Sequence, residues 1–403
     1  MGEELITEAI RKMVEAGSLA GAATLVWQDG KVIQAAGVGW RDIASKLPIE
    51  RNTLFRIASM TKPITSTLAL MLFDEGRFAL SDPITRWAPE FSQMRVLRSS
   101  TATLDQTDPA ERPVTFEDLL THRSGLTYGD WHPGPIAQAY KDALGADIDS
   151  ELLPDDWIAR LAALPLIDQP GTAFHYGHST DLLGLLIARM ENAPLGDVLK
   201  RRIFDPLGMD DTGFTVPLEK QPRRAGPYGF DEVGQLCERL TGPGGSFLPE
   251  RPEGMAYVSG GQGLWSTVDD YLTFARMFLN AGTVNGYRLL QPGTFRRMVT
   301  NCLNENQRVK ARWILDAGHG FGLGVAMVLD PLKAGPRPCG GGVGAVGWPG
   351  AFGGWWRADP NNNAVLIFLA HNMLELEQLT TGIGLGVFDA ITEFQAQASS
   401  LLR

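Results

Sequence analysis

Ser59-Met60-Thr61-Lys62-Pro63 is the stretch from which the rest of the chain can be read. It spells S-x-x-K, and its proline is tolerated in the first turn of a helix but not deeper. The apolar run Leu68-Ala69-Leu70-Met71-Leu72-Phe73 follows and stops at Glu75-Gly76. This pattern predicts a buried helix starting near Ser59, with Gly76 as its C-terminal stop. Ser59 and Lys62 then share one helix face at its electropositive end, where hydroxyl and amine can touch and a forming alkoxide is stabilised. A serine nucleophile working with a lysine needs that geometry. A Ser and a Lys at this spacing also arise by chance about once in a chain of this size, as an N-cap serine and a solvated lysine. The remaining sequence decides between the two.

Upstream, Ala22–Gln28 and Lys31–Ala36 are β-rich runs joined by Asp29-Gly30, a two-residue hairpin signal. Before them, Leu5, Ile6, Ala9, Ile10, Met13 and Val14 make an amphipathic helix with an acidic start. Between Leu80 and about Gly260 helical segments alternate with Pro- and Gly-rich connections, including Thr115–Leu120, Asp155–Leu161 and Thr180–Met190. Residues 217–257 are polar and predict a long surface excursion. A helix is expected near Val268–Leu279, N-capped by Thr267. Strand-like runs return at Gly322–Val328 and Ala364–Leu369, and a last amphipathic helix covers roughly Gly384–Leu402. Strands at both ends with helices between imply an α/β (α+β) unit built from residues 1–78 and 262–403. A mainly helical domain, 79–261, is inserted in it, and a ligand cleft lies between the two.

Composition narrows the function. The 403 residues are 44% hydrophobic and 20% charged, ample for a core. A net charge of −10 without a long basic run argues against nucleic acid or an anionic membrane surface as partner. Cys237, Cys302 and Cys339 are odd in number and far apart, which fits neither a metal site nor a disulfide framework. The start lacks a signal-peptide pattern and no apolar run is of membrane-spanning length, so a cytoplasmic location is expected. Oligomeric state is not written in the sequence.

Two further stretches bear on Ser59. Tyr176, within Phe174-His175-Tyr176-Gly177-His178-Ser179, falls at a loop-to-helix junction where a side chain can face a cleft. A phenolate beside the Lys62 ammonium is a base able to take the Ser59 proton. Gly347-Trp348-Pro349-Gly350-Ala351-Phe352-Gly353-Gly354 precedes an inferred edge strand, and its glycines permit close backbone approach to a ligand. Proline has no N–H, so Ala351 is the better partner for the Ser59 N–H in an oxyanion hole.

Together these stretches resemble the serine β-lactamase-like superfamily, and within it the class C β-lactamase-like esterases often called family VIII carboxylesterases. The likeness runs over nearly the whole chain. It includes Leu119-Leu120-Thr121-His122-Arg123-Ser124-Gly125-Leu126, Phe204-Asp205-Pro206-Leu207-Gly208-Met209 and Ser259-Gly260-Gly261-Gln262-Gly263-Leu264. The resemblance implies a β-lactamase-like fold, with an antiparallel sheet flanked by helices. It implies Ser59 as the acylated nucleophile, Lys62 as holder or relay of its proton, and Tyr176 as general base. The N–H groups of Ser59 and Ala351 would form the oxyanion hole, with Trp348 and Gly350 bounding the substrate. No metal or organic cofactor is implied.

Two departures from the family pattern narrow the chemistry. Its Y-x-N motif reads Tyr176-Gly177-His178, which puts an imidazole where an amide would contact substrate. Trp348 stands where β-lactamases carry a cation for a substrate carboxylate, a charge that indole cannot supply. Both suit a small neutral ester, with a short acyl chain, over a β-lactam, and Trp at this position looks like several family VIII esterases. The expected function is therefore a serine carboxylesterase working through an acyl-enzyme. Amide hydrolysis of the β-lactamase or D-aminopeptidase kind, acyl transfer to another acceptor, and a non-catalytic binder are the alternatives.

Other signals carry less. Gly177-His178-Ser179-Thr180-Asp181 misses the G-x-S-x-G elbow, and Ser179 is expected to cap a helix. His175 and His178 lack an obvious third zinc ligand. His122 is assigned to packing and loop hydrogen bonding. Tyr128 and Trp131 follow a glycine turn and are candidates for the acyl pocket.

Overall fold

Strands from both ends of the chain meet in one sheet. The computed structural model describes residues 2–402 except 147, 240, 243, 244, 247–250, 252–254, 374–377, 379 and 380. β1 (Gly21–Gln28) and β2 (Lys31–Asp42) form the expected hairpin, with Asp29 and Gly30 both at positive φ as its two-residue turn requires. β3 is the short edge Leu47–Pro48. The chain returns with β4 (His319–Phe321), β5 (Ala326–Val328), β6 (Val346–Gly347), β7 (Trp355–Asp359) and β8 (Ala364–Ala370). The order is β4-β5-β6-β7-β8-β1-β2-β3, and every pairing is antiparallel. β1 is central, with Thr24 opposite Ala36 on β2 and Phe368 on β8.

Alternation along β1 and β8 sorts side chains to two faces. Ala22, Val26, Leu366 and Phe368 pack against Ile6 and Ile10 of α1 (Gly2–Glu15) and against Ile391 and Phe394 of the last helix, α5 (Gly386–Leu401). Ala23, Leu25, Val365 and Ile367 join the larger core with Ile64 and Leu68 of α2 (Thr61–Asp74). Leu185 and Leu186 of α3 (Ser179–Glu191) and Leu272 and Phe274 of α4 (Val268–Ala275) belong to the same core. Each fully buried leucine here contributes about 2 kcal/mol of transfer free energy, so α2 is held mainly by its apolar faces. The result is an antiparallel sheet flanked by helices, as the resemblance implies.

Thr267 caps α4 by accepting the Asp270 N–H, as expected. Three expectations change. Gly322–Val325 is the turn between β4 and β5 and only Ala326–Val328 is strand. The reason is a close approach: Gly324 has φ +92°, and a Cβ there would lie 2.1 Å from the Ser66 hydroxyl on α2. The 217–257 stretch is more than a surface excursion. Tyr228–Phe230 is buried, pairs with Leu236–Glu238, and its Tyr228 hydroxyl accepts the Ile43 N–H at 2.7 Å. The part of that expectation on residues 240, 243, 244, 247–250 and 252–254 lies outside the described residues. Ser179 is the first residue of α3 and no cap; its hydroxyl shares a hydrogen bond with that of Ser124 at 2.8 Å.

Candidate active site

α2 begins two residues later than the S-x-x-K pattern alone indicates. Ala58–Met60 form a 3-10 turn and the α-helix proper starts at Thr61. Ala58 enters that turn at φ +43°, a strained conformation for a residue with a Cβ, and it aims the next side chain, Ser59. Behind the turn, Arg56 and Arg251 both pair with Asp149, at 3.1 and 3.2 Å, all three buried. This buried cluster ties the strand before the nucleophile to the residue 149 loop.

Lys62 is fully buried, and its ammonium donates to Ser59 Oγ at 3.1 Å, to the Tyr128 hydroxyl at 3.1 Å and to the Gly261 carbonyl at 3.0 Å. An ammonium has three donors, and all three are used. The same nitrogen lies 4.5 Å from the ring centre of Tyr176. Its nitrogen thus sits between Ser59 and the two tyrosines.

Trp348 is buried, and its indole N–H donates to the Tyr176 hydroxyl oxygen at 2.9 Å. The sequence reading gave Trp348 the part of an apolar wall; it supplies a hydrogen-bond donor as well. His122 packs on the other side of Tyr176, with ring centres 4.9 Å apart. Burial, and then the Lys62 charge, push the His122 imidazole well below its ordinary range, so it is neutral.

Tyr128 has a different setting. Its hydroxyl donates to Asp181 Oδ2 at 3.4 Å while it accepts from Lys62. Asp181 is buried in the first turn of α3 and also receives the Ser259 hydroxyl and the Gly261 N–H, the latter at 3.0 Å. Burial alone would raise its carboxyl, but the hydrogen bond and charge of His178, then Lys62 and Ser259, outweigh it and leave it lowered. Gly177 makes the two tyrosines neighbours, since a Cβ there would lie 2.3 Å from the backbone of Thr127.

His178 does not reach the cleft, contrary to the expectation that it contacts substrate. It is wholly buried, its Nδ1 is 3.2 Å from Asp181 Oδ2, and it packs between Tyr128, Tyr140 and Trp157. His175 lies apart from it, with Nε2 3.2 Å from Asp168. His122 serves in packing as expected, and its carbonyl accepts the His175 N–H at 2.8 Å.

Ser59, Tyr128, Trp131, Tyr176, Trp348, Gly350 and Ala351 all line one cavity of about 960 Å³. Gly350 crosses directly over the nucleophile turn: a Cβ on it would lie 2.4 Å from the Ile57 carbonyl oxygen. The turn at Ala351–Gly353 follows, closed by the Gly350 N–H on the Gly354 carbonyl at 2.7 Å. Among the described residues neither the Ser59 nor the Ala351 N–H has a backbone acceptor. Trp131 packs edge-on to Tyr176 and against Trp313. A second cavity of similar size, about 990 Å³, lies by Leu185, Phe204 and Phe214 and shares no lining residue with the first.

Asp181 is the residue that sequence reasoning missed. A carboxylate inside Thr180-Asp181-Leu182-Leu183-Gly184-Leu185, an otherwise apolar run, was the available signal. Arg312, Trp313 and Phe388, also in the cavity wall, carried none.

A serine backed by a buried ammonium, with a tyrosine hydroxyl and two backbone donors around one cavity, defines a serine hydrolase with β-lactamase-like architecture. A beta-lactamase family model matches residues 6–382, and the chain belongs to that family. It is 44% identical to protein Rv1367c of Mycobacterium tuberculosis over 91% of this chain and 90% of that one. It is 31% identical to esterase EstB of Burkholderia gladioli over 89% and 87%. Among solved structures, EstCE1, described as a hydrolase with promiscuous acyltransferase activity, superposes with a TM-score of 0.77 at 25% identity over 96% of this chain and 98% of that one. The family thus holds both esterases and acyltransferases. No helix among the described residues is long and apolar enough to cross a membrane.

Proposed function

We propose that this protein is a carboxylesterase hydrolysing esters that carry no charge beside the scissile carbonyl, through an acyl-enzyme on Ser59. The observation that carries the reading is the indole N–H of Trp348 on the Tyr176 oxygen. Uncharged indole offers nothing to a substrate carboxylate beside the carbonyl, yet its N–H stabilises a phenolate. Tyr176 as phenolate takes the Ser59 proton as Oγ bonds to the ester carbon. The Ser59 and Ala351 N–H groups hold the oxyanion. The C–O bond to the alcohol then breaks, and Tyr176 returns the proton to the leaving oxygen. Water repeats the sequence on the acyl-enzyme and frees the acid. Lys62 stays protonated throughout and offsets the negative charge passing between Ser59 and Tyr176. The esterase name of EstB supports this reading.

The test is hydrolysis of p-nitrophenyl acetate, butyrate and octanoate by wild type and Ser59→Ala, beside a chromogenic cephalosporin. Ester turnover lost in Ser59→Ala, with little cephalosporin cleavage, is the expected result. Full turnover by Ser59→Ala would overturn the assignment, and cephalosporin cleavage as fast as ester cleavage would favour amide chemistry. Acyl transfer is the second reading, favoured by a cavity with room for an acceptor beside the acyl group. Product analysis with an added alcohol separates it from hydrolysis.

A further inference from the structure

The cavity that holds Ser59 is apolar in its depth and cationic at its mouth. Within its lining Trp348 is buried, whereas Trp313 is 51% exposed and marks the open end. The charged residues that line it are Arg312, Lys333, Arg337 and Asp316. Three cations against one carboxylate run counter to a chain whose formal net charge is −10.

The four are not equally committed. Lys333 pairs with Asp330 at 3.0 Å. Asp316 accepts the Gly335 N–H at 3.0 Å. Arg312 and Arg337 have no ion-pair partner within reach among the described residues. Arg337 instead lies over the Phe388 ring, 3.8 Å from its centre. Burial there pushes its guanidinium below the ordinary range, against the pull of Asp316 and Asp389. Carboxylates lie near this guanidinium but none is in ion-pair contact, and a bound anion would take that place. Two guanidinium forks also match the paired oxygens of a carboxylate or phosphate better than ammonium groups do.

We propose that the substrate carries an anionic group, carboxylate or phosphate, away from its ester carbonyl, and that Arg312 and Arg337 receive it. This rests on the esterase reading and narrows its substrate class. The two ends of the cavity then divide the work. Near Ser59 the Lys62 charge is offset by buried Asp181 and the Tyr176 phenolate, and Trp348 offers an anion no charge. At the mouth an anion finds the two arginines, and the apolar wall between sets how far from the carbonyl it must lie.

Two matched pairs of esters test this and tell which half carries the charge. p-Nitrophenyl butyrate against the p-nitrophenyl monoester of adipic acid probes the acyl half. Phenyl butyrate against 4-(carboxymethyl)phenyl butyrate probes the alcohol half. In one pair the anionic ester should have about tenfold higher kcat/KM, through KM, an advantage that shrinks at high salt. The advantage should vanish in Arg312→Ala/Arg337→Ala and persist in part in Arg312→Lys/Arg337→Lys. Equal turnover within both pairs would overturn the inference and leave the esterase reading standing, as would an advantage that survives the double alanine variant. Failure of wild type on all four esters would overturn the esterase reading itself, and this inference with it.

Discussion

Tyr128 and Tyr176 lie edge to face, with ring centres 5.7 Å apart, and the Lys62 ammonium sits within 5.3 Å of both. Their surroundings nonetheless oppose each other. The Tyr128 hydroxyl spends its proton on the Asp181 carboxylate, so a phenolate there would face a buried negative charge. The Tyr176 oxygen receives the Trp348 N–H, and its other neighbour, His122, is neutral. Proximity to Lys62 is therefore common to both, and the partner of the hydroxyl is what separates a structural donor from the proposed base. The lysine hydrogen-bonds Ser59, Tyr128 and the Gly261 carbonyl, and meets Tyr176 through its ring.

Replacing each hydroxyl tests the contrast most severely. Tyr176→Phe should lower kcat for p-nitrophenyl butyrate by about 10³-fold, the scale of a general base. Tyr128→Phe, which removes one hydrogen bond to Lys62 and one to Asp181, should cost about tenfold. Equal losses would mean that the two tyrosines share the proton and that the contrast in partners has no kinetic meaning.

Removing the acid on the Tyr128 side comes next. Asp181→Ala leaves the Tyr128, Ser259, Gly261 and His178 donors without their common acceptor in a buried site and removes a countercharge of Lys62. Loss of about 3 kcal/mol in urea unfolding is expected. A loss below about 1 kcal/mol would show that Asp181 is not needed to hold Lys62 charged.

On the opposite side, Trp348→Phe keeps an aromatic wall and deletes only the N–H on Tyr176. A hydrogen bond to a charged group is worth about 2 kcal/mol, so kcat should fall about 30-fold with little change in KM. An unchanged kcat would reduce Trp348 to a wall and remove the main distinction between the tyrosines.

The sequence made part of this contrast visible. Pro63, Gly76 and the apolar run between them placed Ser59 and Lys62 at a helix start, because helix punctuation is local. Tyr176 and the Trp348–Ala351 turn were legible as motifs for the same reason. Asp181 was not, because Tyr128, Ser259 and Gly261 reach it from 53, 78 and 80 residues away. His178 was assigned to the wrong side. Its position two residues after Tyr176 is local, but whether it faces the cleft or the core depends on Tyr140 and Trp157, which pack against it from other helices. Gly322–Val328 reads as strand by composition and turns because Ser66 stands against Gly324.

Acid should probe the neutral side of the pair with the smallest net effect. Burial keeps His122 well below its ordinary value of 6.5, and burial with the Arg56 charge brings His371 down to about 4. Below pH 6.5 the unfolded chain binds protons that the fold refuses at these two sites, so stability falls as pH falls through that window. Asp270 opposes this. Burial raises its carboxyl from 3.8 to about 6, so from pH 6 downward the fold holds a proton that the unfolded chain releases. Asp181, whose carboxyl is lowered, contributes stability that is kept above the ordinary carboxylate range and lost only below it. These two imidazoles, joined by the likewise lowered His319 and His132, outweigh one carboxyl between pH 6.5 and 5, at about 1.4 kcal/mol per proton per pH unit, for a net loss of at least about 2 kcal/mol between pH 7 and 5. Urea unfolding at the two pH values measures it, and Asp270→Asn should make the loss steeper. Stability that rose toward pH 5 would mean that a charged His122 is tolerated against the Tyr176 ring. The side of Lys62 on which the base was placed would then be no less charged than the side of Asp181.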